Sequence, residues 1–181
     1  VHNMSLQAGS LSGTGIMTGA VINSGGVVQP GSSIVPGTLT LANYTQSAYG
    51  RLDLKIGGLL AGSQYDVLKV SGQGTFGGSL SVRLINGFTP GLGNTFNLLT
   101  CSFGCSGLNS GTLFGGGVSL PSLASGLAWL SGLTDGGHDF SLTVVAAAAS
   151  APEPGMLLLV GSGLLGLLVW RWLRQVQTSD K

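Results

Sequence analysis

The chain has 181 residues, only 7% of them charged, and its net charge is +1. A typical soluble domain carries about 25% charged residues, so this protein is unusually neutral. Binding to phosphate backbones needs clustered lysines and arginines, and the sequence has no such cluster before residue 170, which argues against a nucleic-acid partner. Its 33 glycines separate short apolar runs, a pattern that predicts many short strands joined by glycine turns rather than a low-complexity linker.

The first part of the chain, residues 1–37, predicts coils of a β-solenoid. Its apolar residues recur every five or six positions with glycines between them, at Leu6, Leu11, Ile16, Val21 and Val27. A helix would need apolar spacings of three and four, so short strands separated by glycine turns fit better, and coils built from such strands stack on one another to bury a shared core. A disordered Gly/Ser stretch is the alternative. The sequence starts at Val1 without a leader, so we expect upstream sequence that includes an export signal.

Residues 38–100 carry the clearest strand patterns and predict the terminal region of the solenoid. Arg51–Ile56 alternates strictly, and we expect its three charged side chains to face solvent. The predicted inward residues of the region are Leu52, Leu54, Ile56, Leu68, Val70, Leu80, Val82, Leu84, Phe96 and Leu98. Asp66 has the same parity as Leu68, and we interpret it as a turn cap at a strand start rather than a catalytic base.

Residues 101–147 are predicted to be capping β-strands. The candidate strands are Thr112–Phe114, Val118–Leu120, Leu127–Leu130 and Phe140–Val145. Trp129 is interpreted as a core or rim aromatic, with a carbohydrate-stacking platform as the alternative. Asp135 precedes two glycines, which predicts a hairpin turn. A cation site formed by Asp135 and Asp139 is the alternative, although two carboxylates give fewer than the six to eight oxygens that Ca²⁺ usually takes.

The two cysteines, Cys101 and Cys105, are separated by three residues. In an oxidising compartment a pair this close can form a small disulfide loop. Two free thiols, or a redox or metal pair, are the alternatives. A zinc site needs four ligands, and only His2 and His138 could join the cysteines. We therefore predict no metal site and no cofactor.

The C-terminal segment changes composition sharply. Residues 148–154 form a linker that ends in the tripeptide Pro152, Glu153 and Pro154, and residues 155–170 carry no charge. A membrane-spanning helix takes roughly 17–25 apolar residues, so the sequence predicts one over residues 155–173. A buried helix in a soluble domain is the alternative, but residues 156–169 have no polar face.

Basic residues at the end of the apolar run predict its orientation. Arg171 and Arg174 should stay in the cytoplasm by the positive-inside bias, with residues 174–181 as a cytoplasmic tail. The β-rich body then lies on the other side of the membrane.

This arrangement of a Pro-Glu-Pro tripeptide, an apolar helix and a basic cluster closely resembles the PEP-CTERM sorting signal, which is also catalogued as an ice-binding protein C-terminal domain. The resemblance implies processing by an exosortase, an integral-membrane transpeptidase-like enzyme, and an association with extracellular polysaccharide and biofilm. Two features depart from the family pattern. The basic cluster has only Arg171 and Arg174, and the tail over residues 175–181 is longer than usual.

The body carries a second resemblance. Residues 36–41, 65–72 and 87–93 are similar to the closing region of autotransporter-type β-helix passengers. This implies a right-handed parallel β-helix capped by longer strands, and it implies no activity.

These observations predict an all-β parallel β-helix or β-solenoid end followed by one C-terminal transmembrane helix. We expect a non-enzymatic surface protein of the bacterial envelope, structural or adhesive, with the membrane, an exosortase and extracellular polysaccharide as partners. Before processing it would be a single-pass inner-membrane protein, and afterwards it would lie at the cell surface or outside the cell. An ice- or polysaccharide-binding module, or the end of a larger enzyme whose catalytic part lies upstream, are the alternatives. The sequence contains no Gly-x-Ser-x-Gly motif followed by an Asp and a His, so no such motif favours catalysis by the chain itself.

Overall fold

Short β-strands make up nearly all of the regular structure. The structure, a computed structural model, describes residues 3–107 and 113–148. The strands are β1 (Met4–Leu6), β2 (Ser10–Gly13), β3 (Gly15–Asn23), β4 (Val27–Pro30), β5 (Thr38–Gln46), β6 (Arg51–Ile56), β7 (Val67–Val70), β8 (Gly74–Phe76), β9 (Ser79–Leu84), β10 (Thr95–Cys101), β11 (Cys105–Ser106), β12 (Val118–Ser119), β13 (Leu127–Thr134) and β14 (Asp139–Ala146). Within the described residues the one helical element is a 3₁₀ turn at Asp135–Gly137. The all-β prediction is confirmed for this part of the chain.

The strands are divided between two sheets, which are parallel except where the C-terminal hairpin joins the first sheet. Strands β1, β3, β5, β7 and β10 follow one another in the first sheet, and β2, β4, β6, β9 and β12 follow one another in the second. Each strand pairs with the equivalent strand one turn earlier, so the chain follows the path of a β-solenoid. The register offset between neighbouring coils grows from 17 residues, between Met4 and Val21, to 38 residues, between Leu80 and Val118.

The first sheet is divided into two panels. The inward parity of β5 changes between Leu41 and Tyr44, and the register of β3 with β5 shifts at the matching place. The first half of β5 pairs with β7, whereas its second half pairs with β8. We call these halves the first and second panels and the other sheet the third panel. Three loops lead from the third panel back to the first, at residues 31–37, 57–66 and 85–94, and we call them the loop corner.

The interior is a set of apolar rows that run from coil to coil. Leu39, Leu68 and Leu99 are in register on the first panel, and all three are buried. An aromatic row runs along the second panel and into the cap through Tyr44, Phe76, Phe114 and Phe140, with neighbouring ring centroids 5.5–5.7 Å apart. Of the ten predicted inward residues, all but Leu84 are buried, and Leu84 packs against the core from a partly buried position.

Two buried amides close the turns between the second and third panels. Asn23 and Gln46 are in register in neighbouring coils and are fully buried. The Asn23 Oδ1 accepts a hydrogen bond from the Gly26 N–H at 2.8 Å, and the Gln46 Nε2 donates to the Gly77 carbonyl at 2.6 Å. A buried backbone group without a partner would cost free energy, so these amides stabilise each turn.

The structure corrects three details of the sequence interpretation. The recurring apolar residues of the first coils do not form one inward row, because Ile16 is 75% exposed whereas Val21 is fully buried. Lys55 does not face solvent but is completely buried. The predicted strand at Thr112–Phe114 is wrong for its described part, because Phe114 takes a positive φ of 57° in a turn that places its ring in the core.

Residues 101–147 contain two different structures rather than capping strands alone. Strands β11 and β12 pair in parallel with β8 and β9 and so continue the solenoid. Only β13 and β14 form the cap, as an antiparallel hairpin whose second strand pairs with β10. This hairpin covers the open edge of the first panel, which protects that edge from pairing with another chain.

Candidate functional site

The most elaborate polar site in the described residues is a buried ion pair under the loop corner. Lys55, on β6, and Asp66, at the end of the second loop, both have fully buried side chains, and the Lys55 Nζ lies 2.6 Å from the Asp66 Oδ2. The Asp66 carboxylate also accepts the backbone N–H groups of Gly37 and Lys55, each at 2.8 Å. The Lys55 Nζ donates to the Pro30 carbonyl at 3.0 Å. The pair therefore connects the first and second loops of the corner to the third panel.

Electrostatics at this site are dominated by burial. Removal from water raises the pKa of Asp66, while the Lys55 ammonium and the two backbone N–H groups lower it in part. A buried pair of this kind contributes little net stability compared with an apolar pair, but breaking it by removing one partner is costly. Its clear structural role is to fix the position of the loops that it joins.

Strand alternation predicted that all three charged side chains of β6 face solvent, and this prediction is wrong for Lys55. Arg51 and Asp53 lie on the outer face of β6 and form an exposed ion pair at 2.9 Å. Lys55 lies on the same face, but the second loop folds back over it, so its burial depends on a segment distant from the strand. The one sequence signal for a buried ion pair was the position of Asp66, which has the same parity as the inward residues of the strand that follows it. A carboxylate at an inward position requires a buried cation or several hydrogen-bond donors.

A shallow polar groove of about 370 Å³ lies on the third panel next to this exposed pair. Its lining residues are Arg51, Ser79, Leu80, Ser81, Gly116, Gly117, Val118 and Ser119. Ser79 and Ser81 lie on β9, and Ser119 lies on the neighbouring strand β12, opposite Ser81 in register. Hydroxyl and guanidinium groups in a groove of this kind can donate to and accept from a polyhydroxylated ligand.

The two cysteines are joined in a disulfide at the end of the first panel. Cys101 is fully buried, and the turn passes through Gly104, whose φ is 94°. His138 adjoins this turn, because its Nδ1 lies 2.8 Å from the Cys101 carbonyl oxygen and its own carbonyl accepts the Cys101 N–H at 2.7 Å. The disulfide and these contacts hold the last coil against the start of β14.

The remaining candidate side chains have structural positions. Asp135 lies in the tight connection between β13 and β14, with a φ of 50°, as the hairpin prediction requires. No group of three or more His, Cys, Asp or Glu residues arranged to hold a metal ion occurs in residues 3–107 and 113–148. Trp129 is partly buried on β13, packs against Phe96 with ring centroids 6.0 Å apart, and donates from its Nε1 to the Pro121 carbonyl at 2.8 Å.

The predicted sorting residues Pro152, Glu153, Pro154, Arg171 and Arg174 lie outside the described residues, as do His2 and the predicted transmembrane segment 155–173. Among the residues that the structure does describe, no helix is both long enough and apolar enough to cross a bilayer. The compact β unit ends at Ala147.

Comparison with known proteins supports the interpretation of the C-terminal segment. The family model described as the PEP-CTERM protein-sorting motif matches residues 150–175. No curated protein matches the chain, so no relative confirms the likeness of the body to autotransporter passengers. The chain therefore carries a PEP-CTERM sorting motif directly after its β-solenoid, which marks it for exosortase processing and for display at the cell envelope.

Proposed function

We propose that this protein is a non-enzymatic structural component of the bacterial cell surface, whose solenoid serves as a rigid spacer and whose C-terminus is an exosortase substrate. The observation that carries the proposal is the PEP-CTERM match at residues 150–175, placed directly after a β unit that ends at Ala147. A single transmembrane helix over residues 155–173 would hold the precursor in the inner membrane with the β unit outside the cytoplasm.

The chemistry of the body favours a structural role. Its buried charges, Lys55 and Asp66, are engaged with each other and with loop backbone. Its buried amides close turns, and its disulfide holds the last coil. Each of these groups has a partner that explains its position through stability, which is what a spacer requires.

The sorting proposal is tested by replacing Pro152, Glu153 and Pro154 together with Ala. The apolar run is unchanged in this variant, so the protein should still insert in the membrane but should accumulate as an unprocessed form. The measurement is the mass of the C-terminal peptide in cells with and without the exosortase. If wild type and the triple variant both retain Lys181 in exosortase-bearing cells, the segment is an anchor and not a processed signal.

A second candidate is a binding module for polysaccharide or ice, favoured by a row of hydroxyls on the outer face of the second panel. Thr45, Thr75 and Ser106 are in register on neighbouring strands, which are about 4.8 Å apart. A hydroxyl row with this regular spacing can pair with repeated hydroxyls on a ligand surface. Replacing Thr45 and Thr75 with Val should then reduce retention on immobilised envelope polysaccharide or the inhibition of ice growth. Unchanged values in both assays would exclude this candidate.

A further inference from the structure

The loop corner exposes an uncharged aliphatic surface. Five large aliphatic side chains there are more than half exposed: Ile34 at 73%, Val35 at 57%, Leu59 at 53%, Leu60 at 62% and Leu92 at 66%. The only charged residue in the three loops is Asp66, which is buried against Lys55. Apolar groups that are clustered and exposed in this way usually mark an interaction surface.

The three loops are fixed against one another, so these side chains hold defined positions along one corner of the solenoid, and we call the set the stripe. Asp66 in the second loop accepts the Gly37 N–H of the first loop at 2.8 Å. Tyr65 of the second loop and Phe88 of the third pack on the same ring, Phe96, with centroids 5.4 and 6.2 Å away. The stripe therefore has a defined shape and is not a set of independent loop tips.

The β unit ends at this corner. Strand β14 runs antiparallel to β10, with Thr143 opposite Thr95, so its last residues pass alongside the third loop. The Gly93 N–H donates to the Val144 carbonyl at 2.8 Å, which places the end of β14 beside Leu92. Residues 148–154 span at most about 25 Å when fully extended, and the uncharged run that follows starts at residue 155.

From these observations we propose that the loop corner contacts the lipid bilayer while the chain is held in the membrane by its C-terminal segment. The inference rests on the proposed membrane-held precursor. The aliphatic side chains enter the boundary between headgroups and acyl chains, where no charged group of the loops has to be desolvated. A short tether keeps the corner at a high effective concentration near the bilayer, so a modest apolar surface is sufficient.

Charge at the edge of the stripe fits the same orientation. Arg83, on the exposed face of β9, donates from its Nη2 to the Ser33 carbonyl of the first loop at 2.5 Å. A cation at this place can reach anionic lipid headgroups while the aliphatic residues insert. The solenoid then lies along the membrane, because the loops of successive coils follow its axis.

The test is lipid-depth fluorescence with the full chain in vesicles of phosphatidylethanolamine and phosphatidylglycerol. Because the two native cysteines form a disulfide, an introduced cysteine is the single free thiol for an environment-sensitive dye. The dye is attached in the Leu60→Cys variant and, as a matched control, in the Tyr49→Cys variant. Tyr49 is 85% exposed in the turn between the second and third panels, away from the loop corner. Flotation with the vesicles measures membrane retention separately.

We expect spin-labelled lipid to lower the emission from the Leu60→Cys variant about twofold or more, as for a group roughly 5–10 Å deep in the boundary region. The Tyr49→Cys variant should remain unquenched. In a Leu92→Cys background, replacing Leu59 and Leu60 with Ser should weaken quenching while flotation stays unchanged.

Equal quenching of the Leu60→Cys and Tyr49→Cys variants in floating vesicles would overturn the inference and leave the sorting proposal intact. So would an unquenched Leu60→Cys variant whose dyes show energy transfer between molecules, since a second copy would then cover the corner. A chain that does not float would refute the membrane-held form itself, and the inference with it.

Discussion

Strand β6 carries one buried and one exposed ion pair, so the two can be compared to test whether burial determines how much stability is lost when an ion pair is broken. Lys55 and Arg51 both lie on the outer face of β6, and each pairs with an aspartate, at 2.6 and 2.9 Å respectively. The first pair is completely buried, whereas the side chains of the second are 51% and 20% exposed. Replacing either cation with Met keeps the aliphatic stem and removes the charge.

The Lys55→Met change leaves the Asp66 carboxylate buried with only two backbone N–H donors. Removing one partner of a buried pair costs about 3–5 kcal/mol, and we expect the lower end because these donors remain. Arg51→Met breaks a pair in contact with water and should cost about 0–1 kcal/mol. Adding Asp66→Asn to Lys55→Met removes the stranded charge, so the double variant should be more stable than the sum of the single changes predicts.

The measurement is urea unfolding of the exported chain in detergent, followed by far-ultraviolet circular dichroism. Constant slopes against urea concentration would show that the variants unfold in the same way as wild type. Equal losses of unfolding free energy for Lys55→Met and Arg51→Met would refute the argument that burial lets this pair fix the position of the loops. Strict additivity of the two changes at the buried pair would refute it as well.

Three further predictions use the same unfolding assay. Burial raises the pKa of Asp66, so the folded chain keeps the proton on this carboxyl group up to a higher pH than the unfolded chain does. The stability that Asp66 contributes in this way is present at low pH and is lost as the pH rises through the folded pKa. The free energy of unfolding of wild type relative to Asp66→Asn should therefore increase as the pH falls from neutral towards about 4. Leu68→Ala should cost about 2–5 kcal/mol because it empties the middle of a buried leucine row, whereas Leu92→Ala at the exposed loop corner should stay within about 0.5 kcal/mol; similar costs would contradict the assignment of the interior. Replacing Cys101 and Cys105 with Ser should cost about 2 kcal/mol for a loop this short, and thiol labelling of the exported wild type should give no signal before reduction.

Local patterns in the sequence were sufficient to predict which strand residues face inward. Alternation with a period of two identifies the buried face of β6 and β9 because each strand there has one face against the interior. The same logic failed at Ile16, which lies five positions before Val21 on β3 and therefore on the opposite face of that strand, and at Lys55, which a distant loop covers. The first failure arises because residues of one strand were taken to belong to separate coils, and the second because strand periodicity does not contain the path of the chain between strands.

The structure of residues 101–147 was predicted only in part. The turn at Asp135 is encoded by the two glycines that follow it, and the structure contains the expected hairpin. The parallel pairing of β11 and β12 was not visible in the sequence, because strands of two residues carry no periodicity. Their position is determined by the coil beneath them, where backbone hydrogen bonds of β8 and β9 are available.

The three-panel path also explains how two surfaces could be used at once. Each coil passes through the first, second and third panels in order, and the loop corner joins the third panel to the first. The second panel is therefore the one that does not border the corner, and it carries the hydroxyl row of Thr45, Thr75 and Ser106.

If the loop corner lies on the bilayer, this hydroxyl row faces away from the bilayer. With so few charges, the protein has little long-range electrostatic steering, so partners on that face must be recognised by short-range hydrogen bonds. A dye attached in a Thr75→Cys variant should accordingly escape quenching by spin-labelled lipid, and quenching equal to that of the Leu60→Cys variant would rule out this orientation.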